Sequence, residues 1–321
     1  MSSFDVPILF LVFNRPDVTK KVFEQIKKAK PKKLYIAADG PRKNIPNEKE
    51  ICNEVIKFVT KINWNCEVKT LFREENLGCG KAVSSAIDWF FENEEFGIIL
   101  EDDCVPDQSF FGFCEQMLVK YKDDARIMMV AGTNYLLDSK NIKEDYFFSQ
   151  FFIIWGWATW RRAWQKYDFK MSEWSKFKRE NRLEYLTKNY FIKKYFEKKF
   201  DLILNKRIDT WDIQWVFTCL FNNGLCITPK KNLISNLGTV GAHVDERSGG
   251  SNFLKTFSLN LSDLKEPKFV FVEKNYDMVF HKTLYFSTVF GIIKDSFIFL
   301  LKMFHVYAGV YFFYKLFRGR K

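Results

Sequence analysis

Phe96-Gly97-Ile98-Ile99-Leu100-Glu101-Asp102-Asp103 decides how this chain folds. The first five residues have the length and apolar character of a strand, and three carboxylates follow without a spacer. Neighbouring like charges repel, so an acidic triplet is ordinarily a solvated loop. At the end of a buried strand it needs a counter-charge instead. A divalent cation such as Mg²⁺ or Mn²⁺, which takes oxygen ligands and bridges diphosphate oxygens, would supply one.

The flanking sequence decides for the buried strand. Val6 to Phe13 is a continuous apolar run, the mark of a strand covered on both faces. Asn14-Arg15-Pro16-Asp17 breaks it, and Val18, Val22 and Ile26 recur at helical spacing. Leu34 to Ala38 predicts a second strand, ended by the turn signal Asp39-Gly40-Pro41. A helix is predicted over Asn47 to Ile62, with Ile51, Val55, Phe58 and Val59 on one stripe. A third strand follows at Val68 to Phe72, a helix at Cys79 to Phe91, a helix around Phe110 to Tyr121 and a strand at Ile127 to Ala131. Alternating strands and helices give an α/β fold with a mostly parallel sheet and helices on both faces. Ligands bind such sheets at the carboxyl ends of the strands, which singles out Asn14, Arg15, Asp39, Arg73, Asn76 and the acidic triplet.

Composition narrows the partners. The 321 residues are 47% hydrophobic, enough for a sizeable core, and carry a net charge of +11. An excess of positive charge points to an anionic partner: nucleic acid, nucleotide phosphates or an acidic membrane. Seven cysteines, an odd number without a CxxC pair, argue against a disulfide framework or zinc ribbon and for a reducing cytosol. Three histidines leave little material for a His-rich metal cage, and the N-terminus lacks the layout of a secretory signal. No helix-turn-helix, zinc or RNA-recognition signature is present, so a nucleic-acid partner is not expected.

Beyond residue 150 the character changes. Trp155-Gly156-Trp157-Ala158-Thr159-Trp160 is an aromatic cluster, and residues 161–207 hold fifteen basic against six acidic side chains. That stretch reads either as a solvated helix face or as a surface for phosphates or a membrane. Residues 284–317 are rich in Phe, Leu, Ile, Val and Tyr and lead into a basic tail. Ser296 to Tyr314 is long enough to cross a bilayer, but a central Lys302 would cost about 2.5–3.5 kcal/mol. An amphipathic helix in the membrane interface avoids that cost and is the expectation, ahead of a packed helix or an oligomer contact that would make a homodimer.

Four groups of residues are suited to chemistry. Glu101, Asp102 and Asp103 are the metal and diphosphate candidates, with Arg15 placed for phosphate or ribose and Asp39 for a nucleobase N–H. Asn76-Leu77-Gly78-Cys79-Gly80-Lys81 opens a helix with glycines whose amides can approach an anion. It is not a P-loop, because Glu75 and Ala82 stand where glycine and Ser/Thr are required. Asp212, between Trp211 and Trp215, reads equally as a general base in a sugar-stacking pocket or as a helix N-cap. Ser235 to His243 is a glycine-containing loop whose histidine is a further metal or diphosphate candidate.

In this order the residues resemble the metal-dependent GT-A glycosyltransferases, specifically the N-acetylglucosaminyltransferase I group and its bacterial relatives, over about residues 5–245. The most specific parts are Phe13-Asn14-Arg15-Pro16, Glu101-Asp102-Asp103, Trp155-Gly156-Trp157, Trp211-Asp212 and Asn236-Leu237-Gly238. The resemblance implies a GT-A domain over 1–245, with a nucleotide-sugar half to about 132 and an acceptor half from 133; the remaining 246–321 is the membrane-associating helical extension expected from its composition. The resemblance implies Mn²⁺ (or Mg²⁺) on Asp103 and a nucleotide-sugar donor, favouring UDP, on Arg15, Asp39, Glu101 and Asp102, to which Asn76 and Lys81 at the helix start, and His243 as a metal candidate, are added from their own positions. Asp212 becomes the base of an inverting transfer, and Trp155, Trp157 and Trp211, with Trp160, the wall against which sugars stack. Animal members carry two adjacent acids at the base position, whereas this chain has Asp212-Ile213. A glycan or lipid-linked acceptor at the cytoplasmic face of the membrane, in cell-surface polysaccharide or lipopolysaccharide synthesis, completes the expectation. The rivals are a sugar-phosphate nucleotidyltransferase and a catalytically dead, membrane-associated binding module.

Overall fold

The computed structural model describes residues 4–136, 138–238 and 255–279. It divides into two compact units, Met1–Trp174 with Phe200–Asp277, and Ser175–Lys199 with Met278–Lys321.

The first unit is built on eight strands: β1 (Ile8–Val12), β2 (Lys33–Ala38), β3 (Glu67–Phe72), β4 (Phe96–Glu101), β6 (Ile127–Ala131), β7 (Tyr146–Ser149), β8 (Trp157–Trp160) and β9 (Leu225–Pro229). Their order across the sheet is β3-β2-β1-β4-β8-β6-β9-β7. The first four are parallel to one another, β6 and β9 are a parallel pair, and β8 and β7 run antiparallel to their neighbours. The expected α/β fold with a mostly parallel sheet is therefore observed. A two-stranded antiparallel ribbon, β5 (Cys104–Pro106) with β10 (Ile234–Asn236), stands beside it.

Register aligns the strand ends. Val12 lies opposite Ala38, Ala38 opposite Phe72, and Leu11 opposite Glu101. The residues that follow each strand therefore line up along one edge of the sheet.

Helices α1 (Pro16–Ala29), α2 (Glu48–Val59) and α4 (Gln108–Lys120) cover one face, where Val22, Phe23, Ile26, Val55, Phe110 and Met117 join Phe10, Ile36, Ile98 and Leu100 in one apolar core. The opposite parity of the strands serves helix α3 (Cys79–Asn93), whose Phe90 packs edge-on against Tyr35 at 4.9 Å. In α2 the buried stripe differs from expectation. Ile51 is exposed, while Glu48 and Cys52 take inward positions beside Val55 and Val59. Glu48 is tolerated inside because Asn14 Nδ2 donates to it at 2.7 Å, the Arg42 amide at 2.6 Å and the Arg42 guanidinium at 3.0 Å. The Arg42 bonds hold its carboxyl down at about 2.

After β8 come helices α5 (Arg161–Trp164), α6 (Trp174–Arg179), α7 (Leu183–Leu186), α8 (Tyr190–Leu204) and α9 (Asp212–Phe221). Phe257 N donates to Asn232 O at 2.8 Å, Leu259 N to Ser109 Oγ at 3.0 Å, and the buried Asp277 accepts from Ser149 Oγ at 2.6 Å. These bonds tie residues 255–277 to the sheet-bearing unit, and it is Ser175–Lys199 that separates from it. That segment is basic, with nine Lys/Arg and three Glu, and exposes Tyr185 and Tyr190, over which Arg182 and Lys194 lie at 5.9 and 5.6 Å. Among the described residues no helix is long and apolar enough to cross a membrane. The interfacial helix expected within 284–317, and His243, lie outside the described residues.

Candidate functional site

The acidic triplet sits where the sequence puts it, at the carboxyl end of β4, and its three members differ. The Asp102 side chain is almost fully buried, 5% exposed, and Arg15 supplies its counter-charge. The Arg15 guanidinium bonds Asp102 through Nη2 and through Nε at 3.3 Å, and reaches Asp103 Oδ2 through Nη1 at 3.0 Å. Burial pushes the Asp102 carboxyl up to about 6 although the Arg15 charge opposes the shift. Glu101 has no such bond to Arg15. Burial and the charges of Asp103, Asp102 and Asp212 push its carboxyl well above the usual range. A group in that state favours either a proton or a nearby cation.

Arg15 therefore does more than the sequence suggested. It precedes α1, whose Pro16 fits a first helical turn, and its carbonyl accepts from Thr19 Oγ1 at 2.7 Å. This fixes the backbone from which the guanidinium bridges two acids, and Asp102 and Asp103 are oriented by it.

Asp39 is engaged by its own chain. Its Oδ1 accepts from the amides of Gly40 and Leu77 at 3.0 Å each, and its Oδ2 from Asn76 Nδ2 at 2.9 Å and the Gly78 amide at 3.2 Å. Gly40 lets this loop approach, since a Cβ there would stand 2.7 Å from Glu74 C and Glu75 N. The carboxylate expected to read a nucleobase is thus a clamp that binds the end of β2 to the residues before α3. Asn76, expected to contact the ligand, is part of that clamp and also donates to Gly40 O at 2.8 Å. The amides at the head of α3, expected to receive an anion, are partly taken: Leu77 and Gly78 by Asp39, and Gly80 by Asp209 Oδ1 at 3.0 Å. Lys81 is exposed on the first turn of α3.

Asp212 is the first residue of α9 rather than its N-cap. The cap position belongs to Trp211, and Asp212 Oδ1 accepts from Thr210 Oγ1. Its charge acts on Glu101 and, with those of Glu101, Asp209 and Asp39, on Cys79. Asp39, just after β2, and Asp209, in the 205–211 loop, bond the head of α3 directly, and the charges of Glu101 and Asp212 act on its Cys79.

The tryptophan wall is a correction. Trp157 is a central-strand residue opposite Ile99 of β4, and Trp157, Trp211 and Trp160 are 0%, 2% and 2% exposed. Trp157 stacks on Trp211 at 5.7 Å and meets Trp215 at 5.6 Å, and Trp164 stacks on Tyr167 at 4.2 Å. Bringing such a side chain out to stack on a sugar would forfeit about 2–3 kcal/mol of burial. These rings are core, and Trp155 alone of the cluster is half-buried.

The loop after β10 reaches the site. Leu237 N donates to Asp103 O at 2.8 Å, and Asn236 Oδ1 accepts from Gly238 N at 2.8 Å. One participant escapes a reading of the sequence: Asp209, which no motif marks. For Asp209 the available signal was the Gly78-x-Gly80 pair, which was assigned to an external anion.

No protein-family model matches the chain, and no curated protein does. Among solved structures, HddC from Yersinia pseudotuberculosis is similar over 39% of this chain, with 14% identity and a TM-score of 0.26, and the chain spans 57% of HddC's length. UDP-glucose pyrophosphorylase, complexed with UDP-glucose, is similar over 77% of this chain and 97% of its own, with 7% identity and a TM-score of 0.35. Likenesses this slight carry no weight for function.

Proposed function

We propose that the chain is a metal-dependent glycosyltransferase of GT-A type that moves a sugar, with inversion, from a nucleotide diphosphate donor to an acceptor hydroxyl. One observation supports this best: at the carboxyl edge of the sheet Arg15 bonds Asp102 and, at 3.0 Å, Asp103, so the acidic triplet is held by a fixed cation where a ligand of this fold would bind. Asp212, at the head of α9, is the base candidate of this reading.

Among the described residues no group of three His, Cys, Asp or Glu forms a ready metal cage. The donor set still fits an ion that takes one or two carboxylates and completes its shell with phosphate oxygens and water. Asp103 would hold it, since Arg15 uses Oδ2 and Oδ1 accepts only a long contact from the Cys104 thiol at 3.3 Å among the bonds described. When bound, the ion offsets charge on the leaving diphosphate.

The chain's own residues do the rest. Arg15 orients Asp102 and Asp103 and adds positive charge beside the donor phosphates. Glu101, raised by its neighbours, holds a sugar hydroxyl. Asp212, with Oδ1 tied to Thr210, accepts the acceptor's proton at Oδ2 as the hydroxyl attacks the anomeric carbon. The basic Ser175–Lys199 segment supports the further reading that the acceptor is a glycan or lipid-linked substrate at an anionic membrane surface facing the cytoplasm.

The test is thermal stability against a panel of nucleotide sugars with and without Mn²⁺, for wild type and Asp103→Ala. A ligand at 100 times its Kd stabilises by about 2.7 kcal/mol. A Mn²⁺-dependent shift with one donor, lost in Asp103→Ala, is expected. No shift with any donor would overturn the reading, and pyrophosphate release from a nucleoside triphosphate and a sugar 1-phosphate would replace it with nucleotidyl transfer.

A further inference from the structure

The head of α3 is built to receive another part of the chain. Gly80 N–H donates to Asp209 Oδ1 at 3.0 Å, across 129 residues. The two glycines make this approach feasible. A Cβ on Gly78 would collide with Asp209 Oδ2, and one on Gly80 would lie 2.6 Å from Asp209 Oδ1 and 2.8 Å from the Thr210 carbonyl oxygen. An ordinary cap needs only a side-chain acceptor. Here two side-chain positions are vacated so that a backbone segment can also lie on the helix end.

The segment that docks leads directly to the base candidate. Thr210 O accepts from Gln214 Nε2 at 2.7 Å, Trp211 O accepts from Tyr167 OH at 3.0 Å, and Thr210 Oγ1 donates to Asp212 Oδ1. From Asp209 to Asp212 each residue is held by a hydrogen bond, and the anchor at the start of the run is the Asp209–Gly80 bond.

We propose that Asp209 is a positioning residue: by docking residues 209–210 onto the Gly78-Cys79-Gly80 head of α3, it sets the place of the Asp212 carboxylate at the start of α9. The docking stands on geometry alone, whereas the catalytic meaning of Asp212 rests on the proposed transferase reading. It also reassigns the glycine pair from an external anion to an internal carboxylate.

Cys79, between the two glycines, reports on the arrangement without any substrate. Its side chain is open to solvent, so a reagent can reach it, while partial desolvation and the charges of Glu101, Asp212, Asp209 and Asp39 push its thiol up. Alkylation of full-length protein by iodoacetamide at fixed pH, resolved by peptide mass spectrometry, follows that thiol. Each unit by which its pKa falls speeds alkylation about threefold, the gain in thiolate outweighing the loss of nucleophilicity. Asp212→Asn, which removes one of the charges acting on Cys79, should speed its alkylation by up to about threefold in the wild-type background. In Asp209→Ala, where the segment is released, the same change should add less than about 1.5-fold, because coupled residues are non-additive. Gly80→Ala breaks the dock from the other side with a better helix former, so it tests the same coupling should Asp209→Ala fail to fold. Asp209→Asn, whose Oδ1 can still accept the Gly80 amide, should retain the full Asp212→Asn effect. A full effect of Asp212→Asn in both Asp209→Ala and Gly80→Ala would overturn the proposal. In protein active with a nucleotide sugar, Asp209→Ala should lower kcat and leave the donor KM unchanged. Absence of activity would count against the transferase reading and leave the alkylation result to decide on Asp209.

Discussion

Asp39→Asn separates the clamp seen in the structure from a nucleobase reader. The carboxylate accepts from Gly40, Leu77, Gly78 and Asn76. Asparagine retains one acceptor oxygen. If that oxygen keeps Gly40 and Leu77, an amide NH₂ is left facing the Gly78 amide and Asn76 Nδ2, so two donors lose their acceptor and meet another donor. Hydrogen bonds to charged groups contribute about 1.5–3 kcal/mol each, which sets the gross loss near 3–6 kcal/mol. Two effects reduce it: Asp39 is half-buried, so water can replace part of the loss, and burial pushes its carboxyl up, so the neutral amide relieves a desolvation cost. The net expectation is about 2 kcal/mol. With an unfolding entropy of about 2.1 cal/mol/K per residue, 321 residues lose about 1.5 °C in Tm per kcal/mol, so the ligand-free melting temperature should fall by about 3 °C. Differential scanning calorimetry without nucleotide measures it. An unchanged ligand-free Tm together with weakened nucleotide binding would refute the clamp and restore the reader.

Three further outcomes are expected. Burial raises the Asp277 carboxyl from 3.8 to about 6, so the folded state binds this proton more tightly than the unfolded chain does. Its stabilising contribution is complete below about pH 4 and lost as pH rises through about 6, so Asp277→Asn should gain up to about 3 kcal/mol at pH 8 and little at pH 4; equal Tm changes at both pH values would contradict this. Glu48, held at about 2 by Arg42, contributes stability above the ordinary carboxylate range that is lost as pH falls toward 2. Glu48→Gln should therefore lower the urea midpoint at pH 7 by an amount equivalent to about 2 kcal/mol, less than for a fully buried pair because Arg42 is 52% exposed; an unchanged midpoint would count against the pairing. Arg15→Gln leaves Asp102 buried without its partner and raises its carboxyl above the present value of about 6. The destabilisation, about 1–3 kcal/mol, should be greater at pH 8 than at pH 5, where Asp102 is already largely protonated; thermal melts showing the reverse order would exclude the pair as its source.

Local pattern fixed the first half of the fold because each strand there is one apolar run and each turn carries its own breaker. Ile8–Val12, Lys33–Ala38, Glu67–Phe72, Phe96–Glu101 and Ile127–Ala131 fall where the runs of apolar residues predict. The edge that holds Arg15, Asp39 and Glu101–Asp103 follows from the parallel arrangement alone. What those groups do there was not legible, because a side chain's role depends on the partners that packing brings to it. Asp39 and Asn76 look like ligand contacts until the loop before α3 closes on them, and Trp157 and Trp211 look like a sugar wall until β8 enters between β4 and β6 and buries them. Helical spacing placed Ile51 inside, but an ion pair with Arg42 turned Glu48 inward instead. Asp209 carries no motif at all: a single exposed aspartate gains its meaning only when tertiary structure lays it on two glycines more than a hundred residues earlier. The sequence by itself thus determined which chemical groups reach the carboxyl edge of the sheet, since strand periodicity and turn chemistry are local. Only the tertiary structure decided which of them are spent on holding the site together and which remain to act, since hydrogen-bond capacity is consumed by contacts distant in the chain.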